Sequence, residues 1–592
     1  MFDIEQKTVE SRVLEYCSDN GLPKPAELTW TSIPFSGEWG ISTSFFKLAA
    51  QEARLVAEKG DHPQPVPQRA QQIASEIADY IGSLAGFARV EAVKGYLNLY
   101  FAPDVYSSRV IDEVLEYGDQ FGCGDSKEEL VMVEFSQPNT HKAIHTGHLR
   151  SAILGDTLCR ILECAGYGVV RANYYGDIGL HVIKWLWNYM KFHAGEKPPS
   201  ETTRWMGDLY SEAISRLEKN PELESEVREV YARWDKEDPE VVDLWLETRQ
   251  WSLDGFNQIY ETLDIPFDRN YSNSEAERPG KKIVIELIDK CIAEDERPEG
   301  PVIVRIDEHL GLKKEKYRVF VILRSDGTAL YSTEDLALAK IKFEEYPLDR
   351  SYYVVDVRQS LHFQQVFKTL EIAGYPWAEK CQHISYELVN LPGNVVMASR
   401  EGTFVLLEDL IREATARALE IVEQKNPDLN LEQKTQIAKA VGIGAIKYPM
   451  LARENKKVVT FDWESALDFN GQAAPYIQYA HVRANSILRR VDEPLPGILT
   501  PSYGLESSEI ELIDLLSRMQ PEVQRSANEH KPLIITNLAY ETARAFNNFY
   551  KQCPVLKAAP EKREFRLRIV AATRQVLANE LKLLGIMAPL VM

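Results

Sequence analysis

The sequence predicts an α/β protein: a parallel sheet built by crossover helices, with an α+β block before it and an all-helical region after it. Three observations carry this. A short apolar run at 130–135 is followed by a loop, a segment of helical spacing and a second strand-like run at 169–174. That order is the signature of a parallel strand–helix–strand unit with a right-handed crossover. Strand and helix patterning returns at 318–323, 352–356, 361–374 and 383–388. From about 406 to 592 nearly every segment repeats its apolar residues at helical spacing, which predicts an all-α domain. The 592 residues exceed what one hydrophobic core holds, so several domains are expected.

Within the first block, 1–120, helical patterning is expected at 44–57 and 68–84, and the run VEAVKGYLNLYF (90–101) alternates like a strand. The polar stretch 122–128 reads as a linker. The central unit is then expected over 121–405. Ser136 to Ile144 is a loop holding Pro138. Leu149, Ala152, Ile153, Leu158, Ile161 and Leu162 share one helical face, and Gly166 ends it. Residues 191–300 are acidic, Trp-rich and helical, and read as an insertion.

Composition narrows the function classes. The net charge of −21 argues against nonspecific coating of nucleic acid. The charge is uneven, however. Residues 211–250 carry 12 acidic and 6 basic side chains, and 531–592 carry 10 basic and 4 acidic ones. A local basic face can hold phosphates while the rest repels polyanions. No apolar run reaches the ~20 residues a membrane span needs, and the polar start MFDIEQKTVESR does not read as a signal peptide. Cys17, Cys123, Cys159, Cys164, Cys291, Cys381 and Cys553 are scattered and never form C-x-x-C. Reduced thiols in a cytoplasmic protein are expected, with neither a zinc site nor a disulfide framework.

His145-Thr146-Gly147-His148 sits where the first strand hands over to its helix. Two histidines three apart share a face on a first helical turn, and each can donate to a phosphate oxygen. The helix start adds free N–H groups and partial positive charge. Gly147 lets a flat base lie against the backbone. H-x-G-H arises by chance in about one such sequence in a hundred. Two helix-capping histidines would be the plain alternative, but the position after a strand favours a nucleoside triphosphate site.

The run VEFSQPNTHKAIHTGHLRSAILGD (133–156) resembles the HIGH signature of class I aminoacyl-tRNA synthetases, and its longer pattern resembles the arginyl branch. The resemblance continues in RANYYGDIG (171–179), LYSTEDLALAK (330–340), YVVDVRQSLHFQQ (353–365), MASREG (397–402), GAIKY (444–448), AAPYIQYAHVRANSILR (473–489), ARAFNNFYKQCPVL (543–556) and LLGIMAPLVM (583–592). It implies a Rossmann-type catalytic domain over 121–405 with a helical insertion at about 191–300. An N-terminal α+β domain (1–120) would meet the tRNA elbow, and an all-α domain (406–592) would bind the anticodon. The second class I signature, KMSKS, is degenerate: Arg400 stands where a catalytic lysine is usual. The resemblance implies that Lys142 supplies the missing charge. A usual tryptophan is Ile178 here, and a usual glutamine is His181.

The implied chemistry is formation of arginyl-adenylate from L-arginine and ATP, then transfer to tRNA(Arg). Lys142, His145, His148 and Arg400 would stabilise charge on phosphate, with Gly147, Met397 and Ser399 also holding ATP. Magnesium would ride on the nucleotide, and no protein metal site is expected. A guanidinium demands a carboxylate that accepts a forked pair of hydrogen bonds. Asp335, at a helix start, is the candidate, and Tyr331 four residues before it faces the same way. By resemblance Asn139, Tyr331, Asp335 and Gln359 hold arginine, with Glu134 and Ser136 near its polar groups. Glu334 is the alternative acid. Tyr96 and Asn98 would meet the tRNA elbow, and Tyr476, Tyr479, Tyr550 and Met592 the anticodon loop. For Tyr479, core packing is the simpler reading. A monomer is expected. A catalytically inactive synthetase relative acting only as an RNA-binding protein, or another class I synthetase, is the alternative.

Overall fold

A computed structural model describes residues 3–25, 27–33, 39–144, 146–391, 395–396 and 406–592. The chain opens with α1 (Asp3–Asp19), β1 (Trp30–Ser32), β2 (Gly40–Ser44), α2 (Phe46–Glu58), α3 (Val66–Ile81), β3 (Phe87–Val93) and β4 (Tyr96–Phe101). The four strands form an antiparallel sheet in the order β1-β2-β4-β3. Leu97 and Leu99 point from it into a core with Ile73 and Ile77 of α3. The alternation at 90–101 is therefore a hairpin rather than one strand. Lys94 and Gly95 both take positive φ (51° and 84°), the geometry of a tight turn matched to strand twist.

Helix α4 (Pro103–Tyr117) leads into the central unit: β5 (Leu130–Glu134), α5 (Thr146–Cys164) and β6 (Gly168–Tyr175). Next come α6 (Leu180–Phe192), α7 (Thr202–Lys219), α8 (Glu224–Asp235), α9 (Pro239–Thr262), β7 (Arg269–Ser272) and α10 (Asn273–Asp289). The unit continues with β8 (Glu294–Asp295), β9 (Val302–Val304), α11 (Ile306–His309), β10 (Phe320–Leu323), α12 (Tyr331–Glu345), β11 (Arg350–Asp356), α13 (Ser360–Ile372) and β12 (Cys381–Tyr386). Five parallel strands pair in the order β12-β11-β5-β6-β7. Val131, Met132 and Val133 are fully buried, so β5 reads as an unbroken apolar run, as a strand covered on both faces should. The chain fills β5, β6 and β7 outward in one direction, then β11 and β12 in the other. The switch point lies between β5 and β11, where an open parallel sheet leaves a crevice at its carboxyl ends.

Three expectations change here. The acidic segment 191–300 does not stay outside the sheet, because Arg269–Ser272 returns to it as edge strand β7. A four-residue polar strand carries too little apolar alternation to be read. The strand near 318–323 joins a separate antiparallel sheet, β10-β9-β8. Cys123 and Cys164 form a disulfide across 41 residues of sequence, against the expectation of reduced thiols throughout. The linker folds back over the end of α5, and that long-range approach leaves no trace in cysteine spacing.

The remaining chain contains β13 (Val389–Leu391), β14 (Val395–Val396), α14 (Leu407–Lys425), α15 (Leu431–Leu451), β15 (Val459–Thr460), α16 (Trp463–Ala466), α17 (Ala474–Leu488), α18 (Ser507–Ser517), α19 (Met519–Glu529), α20 (Leu533–Gln552) and α21 (Pro560–Leu583). These helices bury one continuous apolar core that extends to α5 of the sheet unit. Among the described residues, no helix is long and apolar enough to cross a membrane.

Candidate active site

The crevice at the switch point is lined by the loop after β5. Its entry is strained: Ser136, Gln137 and His141 all have positive φ (78°, 53° and 59°), which non-glycine residues hold only where contacts enforce it. The contacts are present. Ser136 donates its N–H to Ser151 Oγ at 3.0 Å and shares a 2.7 Å hydrogen bond with the Tyr260 hydroxyl. The Gln137 N–H reaches Asn173 Oδ1 at 3.1 Å. The buried His141 ring lies between the Thr140 and Thr248 hydroxyls at 2.9 and 2.8 Å, and the His141 backbone N–H donates to Ser252 Oγ. Burial holds this imidazole well below its usual pKa, so it serves as a neutral strut.

Gly176 explains why the loop and β6 fit together. Thr140 N–H donates to its carbonyl at 2.9 Å, its own N–H donates to Pro138 at 3.1 Å, and Asn139 bridges to it as an added strand. A Cβ on Gly176 would stand 2.0 Å from Asn139 Oδ1, so any side chain there displaces Asn139.

An acidic pocket forms beside this loop. The Tyr174 phenol, at the carboxyl end of β6, is pushed well above its usual pKa by burial first, then by the charges of Asp335, Glu334, Glu134 and Asp177. Two of these acids have full cation partners: Glu134 accepts from Lys342 at 2.5 Å, and Asp177 pairs with Arg249 at 2.8 Å. The other two do not. Asp335 Oδ2 meets His362 Nε2 at 2.6 Å. Glu334 accepts from Asn273, and burial followed by the charge of Asp335 pushes its carboxyl up to about 8. Four acidic side chains against two permanent cations leave a site short of positive charge, and Glu334 keeps its proton there.

The structure thus brings Glu134, Ser136, Asn139 and Asp335 to one crevice. Tyr331 stands at the first turn of α12, exposed, and Gln359 is exposed before α13. Glu334 accepts from Asn273 and Tyr174, and it shares the surroundings of the Tyr174 phenol with Asp335. Gly147 and His148 lie in the first turn of α5, at the crevice. Lys142 is drawn below its usual pKa by burial. His181, in the first turn of α6, is lowered to about 4 by burial and by the charge of Lys142. It is neutral at physiological pH and does not oppose that ammonium. His145, Met397, Ser399 and Arg400 lie outside the described residues. Sequence reasoning missed Tyr174, His362 and the Asp177–Arg249 pair. The one available signal was that β6 ends in Tyr-Tyr-Gly-Asp beside the crevice.

Away from the crevice, Asn98 is buried, with Ser42 donating to its carbonyl at 2.7 Å and its amide reaching the Tyr100 hydroxyl at 3.3 Å. Tyr96 packs edge-on to Phe46. In the helical region, the Arg483 guanidinium lies over Tyr479 and Tyr550 at 4.8 and 5.2 Å, and Lys425 over Phe469 and Tyr479 at 4.4 and 5.8 Å. Tyr479 is half-buried rather than core. Met592 packs on the α14–α15 cluster with Phe469, and Tyr476 packs against Tyr540.

Comparison with known proteins agrees with this geometry. The catalytic-domain model of the class I tRNA synthetases (R) matches residues 110–463, and the DALR anticodon binding domain matches 477–592. An arginine–tRNA ligase of Clostridium perfringens is 36% identical over 539 residues, covering 89% of this chain and 93% of that one. The Treponema pallidum enzyme is 33% identical, covering 94% of each. The solved Thermus thermophilus arginyl-tRNA synthetase superposes with a TM-score of 0.78 at 26% identity, covering 99% of this chain and 100% of that one. With the crevice at the switch point, the acidic pocket beside it and the helical region that follows, the chain belongs to the class I arginyl-tRNA synthetases.

Proposed function

We propose that this arginine–tRNA ligase selects L-arginine by the excess of carboxylate around Tyr174 and activates it at the start of α5. The single observation that carries the reading is the Asp335–His362 contact within that cluster. Asp335 is the acceptor for the guanidinium fork, with Asn139, Tyr331 and Gln359 closing on the substrate. Glu134 and Ser136 shape the wall, since their own polar atoms are bound to Lys342, Gln137 and Tyr260.

In the first step the arginine carboxylate attacks the α-phosphate of ATP. The bond to the β-phosphate breaks, and pyrophosphate leaves. In the second, the terminal ribose hydroxyl of tRNA(Arg) attacks the adenylate carbonyl, and AMP leaves. No covalent enzyme intermediate is required, so the protein's task is positioning and charge stabilisation. His148 and the α5 N-terminus, with Gly147, face the phosphates; Lys142 supplies a partly desolvated ammonium. His145, Met397, Ser399 and Arg400 complete the nucleotide site. Magnesium enters on ATP, held chiefly by the nucleotide's own phosphates.

The RNA reading assigns 1–120 to the tRNA elbow through Tyr96 and Asn98, 121–405 to catalysis and 406–592 to the anticodon loop. Asn98 reaches RNA only if its contacts to Ser42 and Tyr100 give way. The Tyr479–Arg483–Tyr550 stack, with Tyr476 and Met592 nearby, offers aromatic faces and cations for unpaired bases. We read the enzyme as a cytoplasmic monomer. Aminoacylation of total tRNA with each of the twenty amino acids tests the reading: arginine alone is expected to be incorporated, and incorporation of another amino acid instead would overturn it.

A further inference from the structure

Lys142 and helix α7 stand in a relation that the reaction itself does not require. The Lys142 ammonium lies 4.9 Å from the centre of the Tyr210 ring. Among the described residues no carboxylate pairs with it, and burial lowers its pKa. A desolvated ammonium without a counter-ion is drawn to the negative face of an aromatic ring. One turn earlier on α7, Gly207 presses on the next residue of the loop. A Cβ on Gly207 would stand 2.6 Å from Ala143 Cβ and 3.0 Å from Ala143 N. Positions 207 and 210 are three apart and so share a helix face. That face grips residues 142 and 143 together.

The grip is itself anchored. Trp185 Nε1 donates to the Met206 carbonyl at 2.9 Å, and Asn188 Nδ2 to the Leu209 carbonyl at 3.1 Å. Both donors belong to α6, so the α7 backbone on either side of Gly207 is fixed by buried side chains.

We propose that Tyr210 is a positioning residue for the known reaction: its ring holds Lys142 extended towards the phosphates, so the acidic insertion supplies a wall of the nucleotide site. The proposal rests on the reading that Lys142 acts on ATP. A ring holds the ammonium without neutralising it, as a carboxylate would, and leaves its N–H groups for phosphate. The Tyr210 hydroxyl has no part in this.

The test is arginine-dependent ATP–pyrophosphate exchange by the full chain with tRNA present, for Lys142→Ala, Tyr210→Phe, Tyr210→Leu and the double variant Lys142→Ala/Tyr210→Leu. Lys142→Ala is expected to lower kcat on the order of a hundredfold. Tyr210→Leu is expected to lower it about tenfold with the KM for arginine unchanged. Tyr210→Phe restores the wild-type rate, and Tyr210→Leu adds nothing in the Lys142→Ala background. If Lys142→Ala alone leaves kcat unchanged, the reading of Lys142 fails. If Lys142→Ala is slow while Tyr210→Leu matches wild type, or Tyr210→Phe is as slow as Tyr210→Leu, or the two losses simply add, the positioning role is overturned. Should Tyr210→Leu fold poorly, Gly207→Ala displaces the same loop and is expected to lower kcat in the same way; a wild-type rate in that variant overturns the grip.

Discussion

The backbone N–H of Leu407 donates to the carbonyl of Ile144 at 3.2 Å. The first residue of α14 is thereby fastened to the loop that carries Lys142. Side chains reinforce the junction: Thr203 donates to Glu408 at 2.5 Å, Arg204 pairs with Asp409, and Arg412 pairs with Glu201. Helix α7 thus touches both the catalytic loop and the start of the helical region. RNA docked on those helices has a direct mechanical route to the crevice.

Arginine-dependent ATP–pyrophosphate exchange is therefore expected to be silent without tRNA and restored by it, even by tRNA whose terminal ribose cannot accept arginine. Truncation after about residue 425 removes the activity. Robust exchange by RNA-free protein would show that the junction does not gate activation.

His148→Ala removes a donor at the first turn of α5. Exchange is expected to fall by a factor on the order of a hundred or more. The side chain is only half-buried, so the melting temperature is expected to move little. A wild-type rate in the purified variant would refute the nucleotide assignment.

Glu334 makes arginine binding depend on pH. Its folded pKa is raised to about 8, so the empty pocket holds a proton that the unfolded chain releases near 4.5. Stability from this group is complete at low pH and is lost as pH rises from about 4.5 towards 8. A guanidinium favours the ionised carboxylate, so arginine entry releases that proton. The KM for arginine is expected to fall several-fold between pH 6.5 and 8.5, and to lose most of that slope in Glu334→Gln. An equal slope in the variant would place the titration elsewhere.

The sequence carried the sheet and its crevice because β5 and α5 announce themselves by apolar spacing, and His148 by its place at their junction. It hid β7, whose Arg-Asn-Tyr-Ser has no periodicity, and the Lys94–Gly95 turn inside one alternating run. Asp335 was legible as a helix-start acid. Its partner His362 was not, because the two are 27 residues apart and meet only when α13 packs beside α12. The same holds for Tyr210 against Lys142 and, unlike Tyr479 and Arg483, which are four apart on α17, for Tyr550 against Arg483: cation–ring contacts between separate elements leave no spacing to read. The disulfide of Cys123 with Cys164 belongs to this class.

Asp335→Asn is the most direct test of the guanidinium pocket. A neutral amide cannot accept both hydrogen bonds of the fork, and breaking one side of such a desolvated pair costs about 2–5 kcal/mol. With saturating tRNA, the KM for arginine is expected to rise by two orders of magnitude or more, while the KM for ATP changes less than about threefold. An Asp335→Asn enzyme with an unchanged KM for arginine would contradict the account.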